Sequence, residues 1–158
     1  MGLDMYLYAK EFVSSSSWAK EDDVKKVKSV ARMMKGNKFL MTEEYDLQFA
    51  EVKLQVAYWR KANQIHKYFV DKCAEGKDEC QDTYVERDHL EDLLWRCETI
   101  LKDRSRAEEL LPSRSGFFFG STEYDEWYFQ DLEDTIPVLK KILSHAPESW
   151  EFEYKASW

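Results

Sequence analysis

The sequence of 158 residues is poor in cysteine, proline, glycine and histidine. Its three cysteines, Cys73, Cys80 and Cys97, are too few and too scattered for a disulfide framework, which favours free thiols in a reducing compartment. No apolar run approaches the roughly 20 residues that a membrane-spanning helix needs. The first residues also lack the basic segment and cleavage site of a secretory signal. We therefore expect neither a membrane protein nor an exported one.

Positively charged residues are fewer than negatively charged ones. The chain has 23 Lys and Arg against 31 Asp and Glu, which gives a formal net charge of −8. A nucleic-acid backbone repels such a surface, and no long basic stripe offsets it, so we expect no nucleic-acid partner. The histidines, His66, His89 and His145, are far apart, and no His or Cys pair has metal-ligand spacing, so we expect no metal and no cofactor. No nucleophile motif is readable either, which makes catalysis the less favoured alternative without excluding it.

Aromatic residues, in contrast, are abundant. Six Trp, nine Tyr and nine Phe make up 15% of the chain. A domain of this size buries many large apolar rings, but this number exceeds what we expect the core alone to use. Some of these rings are therefore expected on the surface, where they would contact a ligand or a partner.

Hydrophobic periodicity predicts the secondary structure. Helices are expected over residues 21–35, 61–75 and 88–102, in a short turn that ends at Leu111-Pro112, and from Thr122 to His145. Strands are expected over residues 3–9, 47–58, 84–85 and 150–158, the second with a bulge between Phe49 and Val52. The pattern predicts one α+β domain over residues 1–158, with three or four helices packed on a small, mostly antiparallel sheet. The N- and C-terminal strands are included in that sheet, and the pattern leaves the order of its strands open.

Glycine, proline and short polar residues predict where helices begin and end. Gly36-Asn37 and Gly76 are expected to stop the first two helices. Thr122 and Asp125 match a capping box, which predicts that the last helix begins at Thr122. Pro137 leaves two alternatives, because this helix either bends there or a second one starts just before it.

Four segments of the sequence resemble segments of other proteins. They are residues 1–6 (MGLDMY), 58–67 (YWRKANQIHK), 115–128 (SGFFFGSTEYDEWY) and the ending Ser157-Trp158. Together they make the chain resemble a family of small proteins of tailed bacteriophages and prophages, with residues 12–57 matching least. The resemblance implies a phage origin and the cytoplasm of the bacterial host, and it implies no catalytic residue.

The first candidate site follows the second predicted strand. It comprises Tyr58, Trp59, Arg60, Asn63, His66 and Lys67. On a helix that begins near Arg60, the last four would form one polar stripe. Arg binds phosphate in bidentate fashion, Asn reads a base edge, and His exchanges a proton near neutral pH. The alternative is a solvated helix face whose cations pair with acids.

A second candidate site lies where the segment 116–122 leads into the last predicted helix. Glycines let backbone N–H groups approach an anion there, and Ser121 and Thr122 add hydroxyls, although the motif is not a P-loop. Tyr124 and Trp127 follow among carboxylates, and an exposed ring in that setting can stack on a base or sugar. The alternatives are a strand–turn–helix junction with core aromatics, or a surface through which the protein forms a homo-oligomer.

These features favour binding of a small anionic, nucleotide-like ligand without catalysis. With the resemblance to phage proteins, they suggest a sponge, meaning a counter-defence protein that sequesters a nucleotide-derived immune signal of the host. The alternatives are an acidic, DNA-mimic-like inhibitor of a host enzyme and an accessory phage protein.

Overall fold

The computed structural model describes residues 2–33, 49–116 and 119–158. The strands are β1 (Asp4–Ser14), β2 (Phe49–Arg60), β3 (Thr83–Val85) and β4 (Glu151–Ser157). The helices are α1 (Glu21–Met33), α2 (Asn63–Cys73), α3 (Arg87–Lys102), α4 (Ala107–Leu110) and α5 (Glu126–His145), with a 3-10 turn over Arg104–Arg106. The four strands form an antiparallel sheet in the order β2-β1-β4-β3. The α+β class and the inclusion of the N- and C-terminal strands in the sheet are confirmed, and the structure places these two strands side by side.

The chain divides into two compact units, Lys10–Lys53 and a larger one made of Met1–Ala9 and Leu54–Trp158. In the smaller unit, Val13 and Val27 are buried, and the rings of Phe12 and Phe49 stack with centroids 5.6 Å apart. Lys26 of α1 pairs there with Glu11. The prediction of one domain over residues 1–158 is not tested by this division and stays a prediction.

The core of the larger unit lies between the sheet and the helices. Alternation from Leu3 into β1 buries Leu3, Met5, Leu7 and Ala9, as the period-2 pattern predicted. The same alternation along β4 buries Phe152, Tyr154 and Ala156, and β3 pairs antiparallel with β4, Tyr84 opposite Glu153. The predicted helical stripes are buried as well, through Ile65 and Phe69 in α2 and Leu90, Leu93, Cys97 and Ile100 in α3.

The helix α5 packs on α3 and runs without interruption through Pro137. Of the two alternatives for Pro137, a second helix is therefore excluded. Pro137 cannot donate to the carbonyl of Glu133, but both residues are exposed, so water is available to that carbonyl. The helix ends at His145, where the sequence predicted its end.

The described residues contain five helices, slightly more than the three or four expected, and the short α4 lies where the sequence predicted a helical turn. One prediction about the start of a helix was wrong. The last helix begins at Glu126 and not at Thr122, since the carboxylate of Asp125 accepts from the backbone N–H of Trp127 and Tyr128 and is itself the N-cap. In β2, Tyr58 is exposed while Ala57 and Trp59 are buried, and Val56 is partly buried against the core.

Other differences concern the ends of elements. β1 continues to Ser14, α2 begins at Asn63, and α3 begins at Arg87. Gly76 follows α2 with a φ of 78° and donates to the carbonyl of Val70, which is the predicted helix stop. The predicted stop at Gly36-Asn37 and the start of the second strand at Leu47 lie outside the described residues.

Candidate functional site

A cleft of about 350 Å³ lies between the start of α2, the loop before α5 and the first turns of α5. Its charged and aromatic lining includes Arg60, Lys61, Asp131 and Trp127, and Gln64 lines it as well. All of these residues belong to the larger unit. Among the predicted site residues, the cleft brings together Arg60, Asn63, Ser121 and Trp127.

The backbone makes the cleft by turning sharply between β2 and α2. Lys61 has a φ of 61°, a left-handed conformation that side chains rarely adopt, while its N–H donates to the carbonyl of Leu3 at 2.8 Å. Gly120 lies against Lys61 with a φ of 86°, and a Cβ there would lie 3.4 Å from the Cβ of Lys61. The strained turn at Lys61 is consistent with a functional role for this segment.

Asn63 fastens the loop that forms one wall of the cleft. Its Nδ2 donates to the carbonyls of Ser121 at 2.6 Å and Phe119 at 3.2 Å, and its Oδ1 accepts from the N–H of Arg114 at 3.0 Å. Asn63 is only 2% exposed. The amide of Asn63 therefore positions the wall of the cleft. To bond to a base, as we predicted, this amide would have to give up at least one of these three hydrogen bonds.

Asp131 lies on the α5 side of the cleft in a connected polar network. Gln64 Nε2 donates to its Oδ2 at 3.0 Å, while the backbone carbonyl of Asp131 accepts from the hydroxyl of Thr135. Trp59 Nε1 donates to the same Thr135 hydroxyl at 2.8 Å, which fixes this turn of α5 against the sheet. Burial raises the pKa of Asp131 to about 6, opposed by the Gln64 bond and reinforced by Asp134 and Asp125.

The cleft carries charges of both signs. The Arg60 side chain is 64% exposed and has Asp4 at 4.0 Å, a distance at which an exposed pair is weak. Lys61 is exposed beside it. Asp125 is occupied as the N-cap of α5, so Asp131 and the exposed Glu123 are the carboxylates that remain for a ligand. Trp127, which is 79% exposed, supplies a large ring at the rim.

The aromatic pair that precedes Arg60 is split between the two faces of the sheet. Trp59 is 7% exposed and belongs to the core. Tyr58 is exposed on the other face, where its ring lies 5.4 Å from that of Tyr6 and its hydroxyl donates to Asp4. That hydrogen bond raises the pKa of Tyr58. Neither ring lines the cleft.

His66 and Lys67 also lie outside the cleft, so the four predicted polar residues do not form one stripe. His66 is fully buried between the Tyr154 hydroxyl at 2.7 Å and the Asp78 carboxylate at 3.0 Å. Burial lowers the pKa of His66, with Asp78 opposing the change. Lys67 pairs with Asp71 and lines a separate cavity of about 200 Å³.

The remaining two predicted residues belong to the loop before α5. Thr122 is exposed and its carbonyl accepts from the Ser113 hydroxyl at 2.7 Å. Tyr124 packs edge-on against Tyr128, with ring centroids 5.0 Å apart. Ser121 does line the cleft, but its hydroxyl accepts from the N–H of Glu123, so it closes a local turn.

Sequence reasoning did not select Lys61, Gln64 and Asp131 as site residues. A signal for Asp131 was present, because Trp127 and Asp131 are four residues apart and lie on one face of a helix. Gln64 carried no such signal, since its position depends on how α2 packs against α5. Within residues 2–33, 49–116 and 119–158, no three His, Cys, Asp or Glu side chains are grouped so as to hold a metal ion.

No protein-family model matches the chain, and neither the curated proteins nor the solved structures yield a match. Across the described ranges, none of the helices is long and apolar enough to cross a membrane.

Proposed function

We propose that the protein binds a small, nucleotide-like anionic ligand in the cleft between α2 and α5. The observation that carries this proposal is the meeting of two cationic side chains, Arg60 and Lys61, with the exposed ring of Trp127 around one cavity of about 350 Å³. Such a volume is of the size that small-molecule sites have.

Each group has a part in this binding. The guanidinium of Arg60, weakly held by Asp4, contacts the phosphate together with Lys61. The ring of Trp127 stacks on the base. The carboxylates in the same cleft disfavour a long polyanion, so the local balance of charge favours a small ligand over a nucleic acid.

Binding without catalysis is the form of this function that we favour. The resemblance to phage proteins supports a counter-defence sponge that sequesters a nucleotide-derived immune signal in the cytoplasm of the bacterial host. The buried histidine does not line the cleft, and both of its ring nitrogens bond to the protein itself, so it offers no general base to a ligand there.

The test is a binding titration of nucleoside monophosphates, cyclic dinucleotides and ADP-ribose, with Arg60→Ala and Trp127→Ala as variants. Both side chains are largely exposed, so we expect each variant to keep the melting temperature within about 2 °C and to lose binding at least tenfold. Lys67→Ala is the matched control, because Lys67 is a cation on the same stretch of chain outside the cleft.

Two results would contradict the proposal. One is the absence of binding to any of these compounds, which would favour a protein partner instead. The other is an Arg60→Ala variant that binds as tightly as the original chain. Recovery of the bound compound in altered form, measured by chromatography after incubation, would exclude the sponge and indicate an enzyme.

A further inference from the structure

The inner part of the cleft presents hydrogen-bond acceptors. Gln64 is 2% exposed, and it lines the cleft although it is nearly buried. Because its Nε2 donates to Asp131, its Oε1 is the atom of the amide that is left to accept from a ligand. The Asp131 carboxylate adds its second oxygen, Oδ1. These two oxygens are therefore the acceptors that the cleft offers to the donors of a ligand.

A ligand that fits must therefore offer donors at one end and negative charge at the other. A simple organic cation would satisfy the acceptors, but Arg60 and Lys61 in the same cleft would repel it. A nucleotide offers both features, provided that its base presents donors.

The bases differ in how well they match adjacent acceptors. Guanine presents two neighbouring donors on its Watson–Crick edge, N1–H and the N2 amino group. Adenine and cytosine present one amino donor beside a ring nitrogen that is itself an acceptor, and this nitrogen would face a carboxylate oxygen. Uracil places its single N–H between two carbonyl oxygens, which the carboxylate would repel.

We propose that the cleft selects guanine nucleotides, with Gln64 Oε1 accepting from N1–H and the Asp131 carboxylate accepting from the N2 amino group, while Arg60 and Lys61 face the phosphate. This inference rests on the proposed function, because it names the base that the same cleft would take. It also gives Gln64 a role, namely to orient the Asp131 carboxylate through the 3.0 Å bond and to accept from the base.

The first test uses the unmodified chain and a series of ligands at one pH and salt concentration. Titrations with GMP, IMP, AMP, CMP and UMP measure how the donors and acceptors on the Watson–Crick edge of each base affect the binding affinity. We expect GMP to bind at least about tenfold more tightly than AMP. IMP lacks the N2 amino group, and we expect it to fall between them. Equal affinities, or a preference for AMP, would overturn the guanine inference while leaving the proposed function standing. If no nucleotide binds, both fail.

The second test exchanges one acceptor for a donor. Asp131→Asn keeps the size of the side chain and retains an oxygen for the Gln64 bond, so it is expected to fold. Its new amide would oppose the N2 amino group of GMP but donate to the C2 carbonyl of XMP. We expect the variant to lose GMP affinity at least tenfold and to bind XMP more tightly than the original chain does.

Asp134→Asn is the matched control, since Asp134 accepts from Gln130 outside the cleft and the same change of charge occurs nearby. We expect this control to keep the preference for GMP. An Asp131→Asn variant that retains the GMP preference, or a control that loses it equally, would refute the assignment of Asp131. Should Asp131→Asn fail to fold, the comparison of GMP with IMP on the unmodified chain still decides the question.

Discussion

Asn63 gives the most direct test of how the wall of the cleft is held. Asn63→Ala removes three hydrogen bonds, to the carbonyls of Phe119 and Ser121 and from the N–H of Arg114. A protein hydrogen bond contributes about 1 kcal/mol net, so the three together stabilise the fold by about 3 kcal/mol. The loss is not offset by solvation at Phe119, because that residue is only 6% exposed and its carbonyl would stay buried.

The measurement is urea unfolding followed by circular dichroism, which reports the free energy of unfolding. With a slope of about 2 kcal/mol per molar urea, a loss of about 3 kcal/mol lowers the midpoint by about 1.5 M. Ser121→Ala is the matched control. Asn63 bonds to the carbonyl of Ser121 rather than its hydroxyl, so we expect the control to lose less than about 1 kcal/mol. If the two variants lose the same small amount, Asn63 does not fasten the wall and the reasoning is refuted.

Two further predictions concern Asp131 and Gly120 in the cleft, with Gly76 outside it as a comparison. The pKa of Asp131 is raised to about 6 in the folded chain, so the folded state binds more protons than the unfolded state between pH 4 and 6, and the contribution of Asp131 to stability falls as pH rises through that range. Asp134, Asp125 and Glu123 add negative charge around Asp131, and Arg60 and Lys61 add positive charge. The lowered pKa of the buried His66 makes stability rise with pH in part of the same range, so the quantity to measure is the difference in melting temperature between the original chain and Asp131→Asn. We expect the original chain to lose stability relative to the variant as pH rises from 4 to 7, and a constant difference would contradict this. Gly120→Ala forces a side chain to adopt a φ of 86°, so we expect the free energy of unfolding to fall by about 1 kcal/mol. We expect a similar loss for Gly76→Ala, because Gly76 has a φ of 78° although there is open space around it. Urea unfolding measures both. An unchanged midpoint in Gly120→Ala would show that the loop relaxes.

Local patterns predicted the elements with the strongest periodicity. The alternation of Leu3, Met5 and Leu7 and of Phe152, Tyr154 and Ala156 predicted the two central strands and their buried faces correctly. The failures occurred where two local signals competed. Thr122 and Asp125 each suit an N-cap, and the geometry of the loop decided in favour of Asp125. In β2 both faces carry apolar residues, so the sequence did not indicate which face would be buried.

The candidate site was predicted in part. Arg60, Ser121 and Trp127 are polar or aromatic residues near element ends, and the structure brings them together around one cleft with Asn63. His66 was grouped with them because it lies three residues after Asn63, but the α2 helix turns it towards Tyr154 and Asp78. Spacing along a helix defines a face, and it does not define what the neighbouring elements place against that face.

The sequence by itself determined the α+β class, the apolar faces of β1 and β4, and the stripes of α2 and α3, because each of these depends on residues close together in the chain. Only the tertiary structure decided that Gln64 and Asp131, 67 positions apart, are joined by a hydrogen bond in the cleft. It also decided that His66 is buried between Tyr154 and Asp78. Contacts between residues far apart in sequence depend on how α2, α5 and β4 pack, and no local pattern encodes that packing.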